Sequence, residues 1–157
     1  MAMKIDKAIG FELLSLTGKR ETLSALLTSG PVLLAFYKVT CPTCQLIFPF
    51  LERLHRGEGA GTPRVIAISQ DDPRATADFN QRFGATFLTL LDPKEDRYPV
   101  SNAYGITNVP TLFLIEPEGY ISEFAGAFDK AMLERLATRF RIEVFTPADR
   151  VPVFRPG

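Results

Sequence analysis

Apolar residues along this chain fall into short continuous runs and into stretches of helical spacing. Residues 32–38 and 64–69 are nearly continuous apolar runs. Such runs are typical of strands covered on both faces, and they favour central strands of a largely parallel sheet. Between them, apolar side chains recur at helical spacing, which predicts a helix over residues 42–56. Strand, helix and strand together predict a βαβ unit.

The second half of the chain predicts the remaining elements. Asp72 and Pro73 mark the start of a helix, Gly84 marks its end, and its apolar side includes Ala77 and Phe83. Four further elements follow: a short strand at 87–91, a brief helix at 100–104, a hairpin of 111–115 with 120–124, and a last helix that Asp129 caps and that ends near Phe140.

Length and charge narrow the function classes. With 157 residues and 46% hydrophobic content, we expect a single domain over residues 1–157, with its core at about 9–140 and a C-terminal tail at 141–157. Eighteen basic side chains balance eighteen acidic ones, which argues against a nucleic-acid partner. No segment approaches the ~20 apolar residues of a membrane span. We expect a cytoplasmic protein as the sequence stands, or a periplasmic one if an export signal was removed.

The two cysteines of the chain lie three positions apart, in Cys41-Pro42-Thr43-Cys44, shortly after the first apolar run. On the first turn of the following helix, the helix dipole favours a thiolate, so Cys41 is the candidate nucleophile. Residues three apart on a helix share a face, which lets Cys44 close a reversible disulfide with Cys41. The pattern therefore indicates a redox dithiol.

The order of strand, Cys-x-x-Cys, helix, strand, helix and hairpin resembles the thioredoxin superfamily. Pro49 lies where that family bends its active-site helix, residues 104–111 resemble its segment leading to a cis-proline, and residues 124–127 resemble its glycine turn. Residues 9–27 and 69–92 are similar to the branch containing the TlpA and ResA thiol-disulfide oxidoreductases and the peroxiredoxins of the AhpC/TSA type. The resemblance implies an α/β thioredoxin fold, a central mixed β-sheet flanked by helices, with an N-terminal extension and a central insertion.

The resemblance also implies roles for particular residues. Cys41 attacks a substrate disulfide, and Cys44 resolves the mixed disulfide that forms. Pro110 is expected in the cis form after Val109, whose backbone pairs with an extended substrate, and the neighbouring glycine turn contributes Gly126. The expected active-site neighbours are Pro42, Thr43, Thr40 and Tyr37, with the hydroxyl and N–H of Thr43 donating toward Cys41 and Tyr37 packing beneath the site.

No cofactor beyond the redox-active disulfide and no metal is implied. The implied partners are protein or small-molecule disulfides and dithiols, together with an unidentified redox partner.

The acid–base group is also unidentified, because Ala35 replaces the buried aspartate of thioredoxins and Ile47 replaces the ResA-type glutamate. Thr40 stands where thioredoxins carry tryptophan.

Two other functions stay open at this point. Cys41-Pro42-Thr43 echoes the peroxidatic segment of peroxiredoxins, although Lys38 and Leu34 occupy the positions where that family has a hydroxyl residue and a proline. A non-catalytic module could instead use both thiols to bind copper(I) or zinc, but the chain has one histidine, His55, to add to them.

Overall fold

The protein is described by a computed structural model over residues 7–57 and 61–157. Its elements in chain order are β1 (Glu12–Ser15), β2 (Arg20–Thr22), α1 (Leu23–Leu26), β3 (Val32–Tyr37), α2 (Pro42–His55), β4 (Arg64–Ser69), α3 (Pro73–Arg82), β5 (Leu88–Leu91), α4 (Pro99–Ala103), β6 (Thr111–Ile115), β7 (Ile121–Ala125), β8 (Ala127–Asp129), α5 (Lys130–Phe140) and β9 (Phe154–Pro156). Within the described residues, the helices are all too short or too polar to cross a membrane.

Seven strands form one sheet in the order β2-β1-β5-β4-β3-β6-β7. Strands β3, β4 and β5 are parallel, because α2 and α3 return the chain to the same end of the sheet, whereas the pairings of β1, β2, β6 and β7 are antiparallel. The predicted mixed sheet and thioredoxin fold are confirmed. The expectation of a largely parallel sheet is wrong, since four of the six strand pairings in this sheet are antiparallel.

Helix starts follow their capping residues. Pro42 and Pro73 occupy the first turns of α2 and α3. The side chain of Asp72 accepts a hydrogen bond from the Ala75 N–H at 2.8 Å, and Asp129 caps α5 in the same way. These predicted helix starts are confirmed. They could be predicted because the capping residue and the N–H groups that it binds lie within four residues of one another. α2 continues past Pro49 to His55.

The buried side of α3 differs from the prediction. Ala77 is exposed and Phe83 is half-buried, while Thr76, Phe79 and Asn80 face inward. Asn80 can be buried because its amide oxygen accepts from the Tyr37 hydroxyl at 2.7 Å and its amide nitrogen donates to the Thr89 hydroxyl at 2.8 Å. Apolar spacing misses a helix face that is polar but fully hydrogen-bonded.

Alternate residues of β3 supply two cores. Leu33, Ala35 and Tyr37 pack with α2 and α5, whereas Val32, Leu34 and Phe36 pack with α1 and α4 on the other face. All six side chains are at most 1% exposed. Each large apolar side chain buried in this way contributes about 1.5–3 kcal/mol, so β3 is held firmly at the centre of the sheet.

The C-terminal residues form more structure than a tail. Val144 is buried against the α2 side of the core, and β9 pairs antiparallel with β8. Strands β1, β2, β8 and β9 are absent from the sequence-based prediction. Each has three or four residues, too few for periodicity to reveal.

Candidate active site

Cys41 is the N-cap of α2. Its backbone is extended, with φ −86° and ψ 115°, and its N–H donates to the carbonyl oxygen of Lys38 at 3.2 Å. The Cys44 N–H donates to the Cys41 sulfur at 3.3 Å, so the thiol performs the task that serine or aspartate performs at other helix starts. The sequence predicts Cys41 on the first turn, and the structure places it one residue earlier, as the N-cap, where the helix dipole still acts.

The two cysteines differ in exposure. Both are free thiols, but Cys44 is fully buried and Cys41 is partly exposed. Burial raises the pKa of the Cys44 thiol; a hydrogen bond from the Lys38 backbone opposes this, and the charge of Asp71 adds to it. Only Cys41 is therefore placed to meet an external disulfide first.

The segment before β6 lies against the sulfur of Cys41. The thiol donates to the carbonyl oxygen of Val109 with Sγ and O 3.4 Å apart, and the Val109–Pro110 peptide bond is cis, as predicted. The Thr111 hydroxyl donates to the Asn108 carbonyl at 2.7 Å, and Pro110 is buried. The structure thus brings Cys41, Val109 and Pro110 together.

Thr43 does not act as expected. It is buried, and its hydroxyl donates to the carbonyl oxygen of Pro156 at 2.8 Å instead of toward Cys41. The N–H that contacts the Cys41 sulfur belongs to Cys44. Pro42 and Thr40 flank the nucleophile and are exposed.

Tyr37 and Cys44 belong to the same buried core cluster. Its ring lies 4.5 Å from that of Phe48 and 5.3 Å from that of Phe79, and its hydroxyl donates to Asn80. Burial raises the pKa of Tyr37, which keeps the hydroxyl protonated. This arrangement agrees with the expected packing role.

Gly126 lies between β7 and β8, one residue from the pairing of Ala127 with Pro156. Its carbonyl oxygen accepts from the side chain of Asn108. Gly126 is not among the residues that line the cavity beside Cys41, and its contact with substrate stays a prediction.

A cavity of about 500 Å³ opens next to Cys41. Its walls come from the end of β3, from the loop after β4, from the region of α4 and from the segment before β6, and they include Lys38, Cys41, Gln70, Asn102, Val109 and Gly157. Lys38 is the charged side chain among the described lining residues. The volume fits a small organic molecule.

Asp71 lies close to the candidate active site, whereas the sequence favours helix capping as the role of Asp71 and Asp72. Asp72 caps α3, but the carboxylate of Asp71 accepts from the Val39 N–H at 2.8 Å and so holds the loop before Cys41. Both parallel strands β3 and β4 end at this edge, where polar residues of a βαβ unit meet, and that signal could have located it. Ala35 and Ile47, in the positions of the missing acids, are buried in the apolar core.

Metal ligands do not cluster in this site. Over residues 7–57 and 61–157, His, Cys, Asp and Glu nowhere form a group of three or more suited to a metal ion. The two thiols are the pair available for a soft metal.

Comparison with known proteins identifies the family. A sequence model of the AhpC/TSA family matches residues 5–124. The chain is 32% identical over 128 residues to the thiol-disulfide oxidoreductase ResA of Bacillus subtilis (strain 168), covering 80% of this chain and 69% of the relative. ResA of Halalkalibacterium halodurans is 30% identical, with coverage of 82% and 72%.

Solved structures agree with the sequence relatives. The crystal structure of a putative thiol:disulfide interchange protein DsbE from Chlorobium tepidum superimposes with a TM-score of 0.75 at 28% identity, covering 88% of this chain and 96% of that one. The family match, the relatives and the superposition rest on most of the chain and include the Cys41–Cys44 motif and the cis-proline segment. The chain belongs to the AhpC/TSA family, on its thioredoxin-fold, ResA-like branch.

Proposed function

We propose that this protein is a thiol-disulfide oxidoreductase whose Cys41 and Cys44 pass between dithiol and disulfide. The observation that carries the proposal is the asymmetry of the pair: Cys41 is partly exposed at the start of α2, while Cys44 is buried one turn later. Its ResA relatives are named as thiol-disulfide oxidoreductases, which supports the same chemistry here.

The geometry supports a two-step exchange. The thiolate of Cys41 attacks one sulfur of a substrate disulfide, the substrate S–S bond breaks, and one thiolate leaves. Cys44 then loses its proton and attacks the Cys41 sulfur, which releases the second substrate thiolate and leaves the Cys41–Cys44 disulfide. Two electrons move from the protein to the substrate, and the reverse sequence oxidises a substrate dithiol. A separate redox partner of the dithiol class restores the starting state.

A redox titration tests this proposal. Protein equilibrated in thiol buffers of defined potential should form one intramolecular disulfide, detected as the loss of two free thiols. A potential near about −270 mV would indicate a reductant of the thioredoxin type, and one near about −120 mV an oxidant suited to an oxidising compartment. Absence of the disulfide at every potential would contradict the proposal.

Two control measurements distinguish the other functions. Saturable consumption of hydrogen peroxide that is lost in Cys41→Ser would indicate a thiol peroxidase instead. Peroxidase activity is not favoured, because the position three residues before Cys41 holds the exposed Lys38 instead of a hydroxyl residue. Leu34, at the position of the peroxiredoxin proline, is buried within β3. Stoichiometric zinc or copper that protects both thiols in protein purified without chelator would indicate a metal-binding module.

A further inference from the structure

The C-terminal segment, residues 154–157, lies at the edge of the active site. Strand β9 pairs with β8 so that Pro156 is opposite Ala127. The carbonyl oxygen of Pro156 accepts the hydrogen bond from the Thr43 hydroxyl, inside the Cys-x-x-Cys motif, at 2.8 Å. The C-terminal segment is thus hydrogen-bonded to the motif itself.

Gly157, the next residue of the C-terminal segment, lies against the backbone of Val109. A Cβ atom at Gly157 would collide with the carbonyl oxygen of Val109, so Gly157 is in direct contact with that carbonyl and a larger residue does not fit. The same oxygen accepts the Cys41 thiol. The C-terminal segment therefore occupies the backbone edge where an extended polypeptide would have to pair beside cis-Pro110.

The C-terminal segment is anchored through the chain that precedes it. The Lys130 N–H donates to the Val153 carbonyl at 3.0 Å. Further back, Arg53 of α2 forms an ion pair with Asp149 at 2.7 Å and donates to the carbonyl of Val144, which is 1% exposed. The contacts of Arg53 attach the chain that precedes the C-terminal segment to α2, the helix that carries Cys44.

Cys41 remains reachable through the cavity described above. This cavity of about 500 Å³ is lined by Cys41 and Val109 and also by Gly157. Cavities of this size enclose small ligands, whereas an extended polypeptide needs an open strand edge. A small disulfide can therefore reach the Cys41 sulfur through the cavity, whereas an extended polypeptide would need the Val109 edge that the C-terminal segment occupies.

We propose that the C-terminal segment closes the Val109 edge to extended polypeptides, so that the preferred substrates are low-molecular-weight disulfides that reach Cys41 through the cavity. This inference rests on the proposed oxidoreductase function and names its substrate class. In the reaction, the small disulfide R–S–S–R accepts two electrons and leaves as two thiols, and the protein becomes the Cys41–Cys44 disulfide.

The test measures single-turnover rate constants for oxidation of the reduced protein. One substrate is oxidised glutathione and the other is an unstructured peptide of about twenty residues with one disulfide. Four proteins are compared: the chain of residues 1–157, a variant that lacks residues 154–157, Gly157→Ala, and the control Val153→Ser. Val153 is 75% exposed, and its backbone carbonyl is retained in the control. Circular dichroism confirms that each variant is folded.

We expect removal of residues 154–157 to raise the rate constant for the peptide about tenfold or more, because the binding-competent edge becomes populated. The rate constant for oxidised glutathione should rise by much less than that for the peptide, since its route is already open and loses only the part of the wall that Gly157 forms. Gly157→Ala should move the peptide rate in the same direction, and Val153→Ser should move neither rate. Gly157→Ala keeps the test informative if the shortened chain does not fold.

Two results would overturn the inference: a chain of residues 1–157 that reacts with the peptide as fast as the shortened one, or equal acceleration of both substrates on shortening. Failure of the oxidoreductase function would look different. In that case no protein in the set would form the Cys41–Cys44 disulfide with either substrate.

Discussion

The Cys41 thiol donates to the carbonyl oxygen of Val109, 68 residues away in the chain, with a separation of 3.4 Å. This contact joins the start of α2 to the segment that carries cis-Pro110. It places the candidate nucleophile at the junction of two loops whose positions are set by the central strands β3 and β6. The following predictions test how this junction and its surroundings work.

The unequal exposure of the two cysteines predicts different defects when each is replaced. Cys44→Ser should keep the attack by Cys41 but lose resolution, so a mixed disulfide with a small thiol should accumulate to nearly one per protein. Cys41→Ser should form none, because Cys44 is fully buried. Mass spectrometry after reaction with oxidised glutathione measures both. An adduct on Cys44 in the Cys41→Ser variant would contradict the assignment of roles.

Resolution of the mixed disulfide should accelerate with pH. Burial raises the pKa of Cys44, so the thiolate is a minor form at neutral pH. As long as the pH stays below that pKa, each increase of one pH unit raises the thiolate fraction about tenfold. Stopped-flow measurement of the release of the second substrate thiol, over about two pH units around neutrality, gives the dependence of the resolution rate on pH. A rate that is flat over this range would contradict a buried, protonated Cys44.

Asp71→Asn should speed resolution at neutral pH by about threefold, because removal of the carboxylate lowers the pKa of Cys44 while the amide oxygen can still accept from the Val39 N–H. Asp72→Asn is the matched control, since asparagine is an equally good N-cap for α3. The same stopped-flow assay applies. Slower resolution in Asp71→Asn would instead identify Asp71 as the group that takes the Cys44 proton.

Acid should weaken the ion pair between Glu116 and Arg139. Arg139 donates to both carboxylate oxygens of Glu116 at 2.7 Å, and these bonds hold the pKa of Glu116 below its usual value, although burial opposes them. A lowered pKa in the folded state stabilises the protein above the unfolded pKa of about 4.3, and the contribution is lost as pH falls through the folded value.

Glu116→Gln should therefore lower the free energy of unfolding by about 1.5–3 kcal/mol at neutral pH and by less under acid conditions. Denaturant unfolding at both pH values measures the difference. Glu123→Gln is the control, because the Glu123–Arg135 pair is more exposed and should be worth less than about 1 kcal/mol. Equal losses for the two variants would contradict the role of burial at Glu116.

Much of the fold was predictable because its signals are local. The apolar runs of β3 and β4, the prolines at the starts of α2 and α3, and the Asp129 cap of α5 each act within a few residues. The position of Cys41 at a helix start follows from the same signals. The cis form of Pro110 required the family resemblance, since X–Pro bonds are mostly trans in proteins.

What the sequence by itself determined is therefore the order of the elements, the central strands and the dithiol at the start of α2. Only the tertiary structure decided that the Thr43 hydroxyl bonds to Pro156, 113 residues away, that Asp71 holds the loop before Cys41, and that Gly157 lies on Val109. Strand β9 has three exposed residues and no periodicity of its own. Its place depends on contacts with β8 and α2, which exist only when distant parts of the chain have packed together.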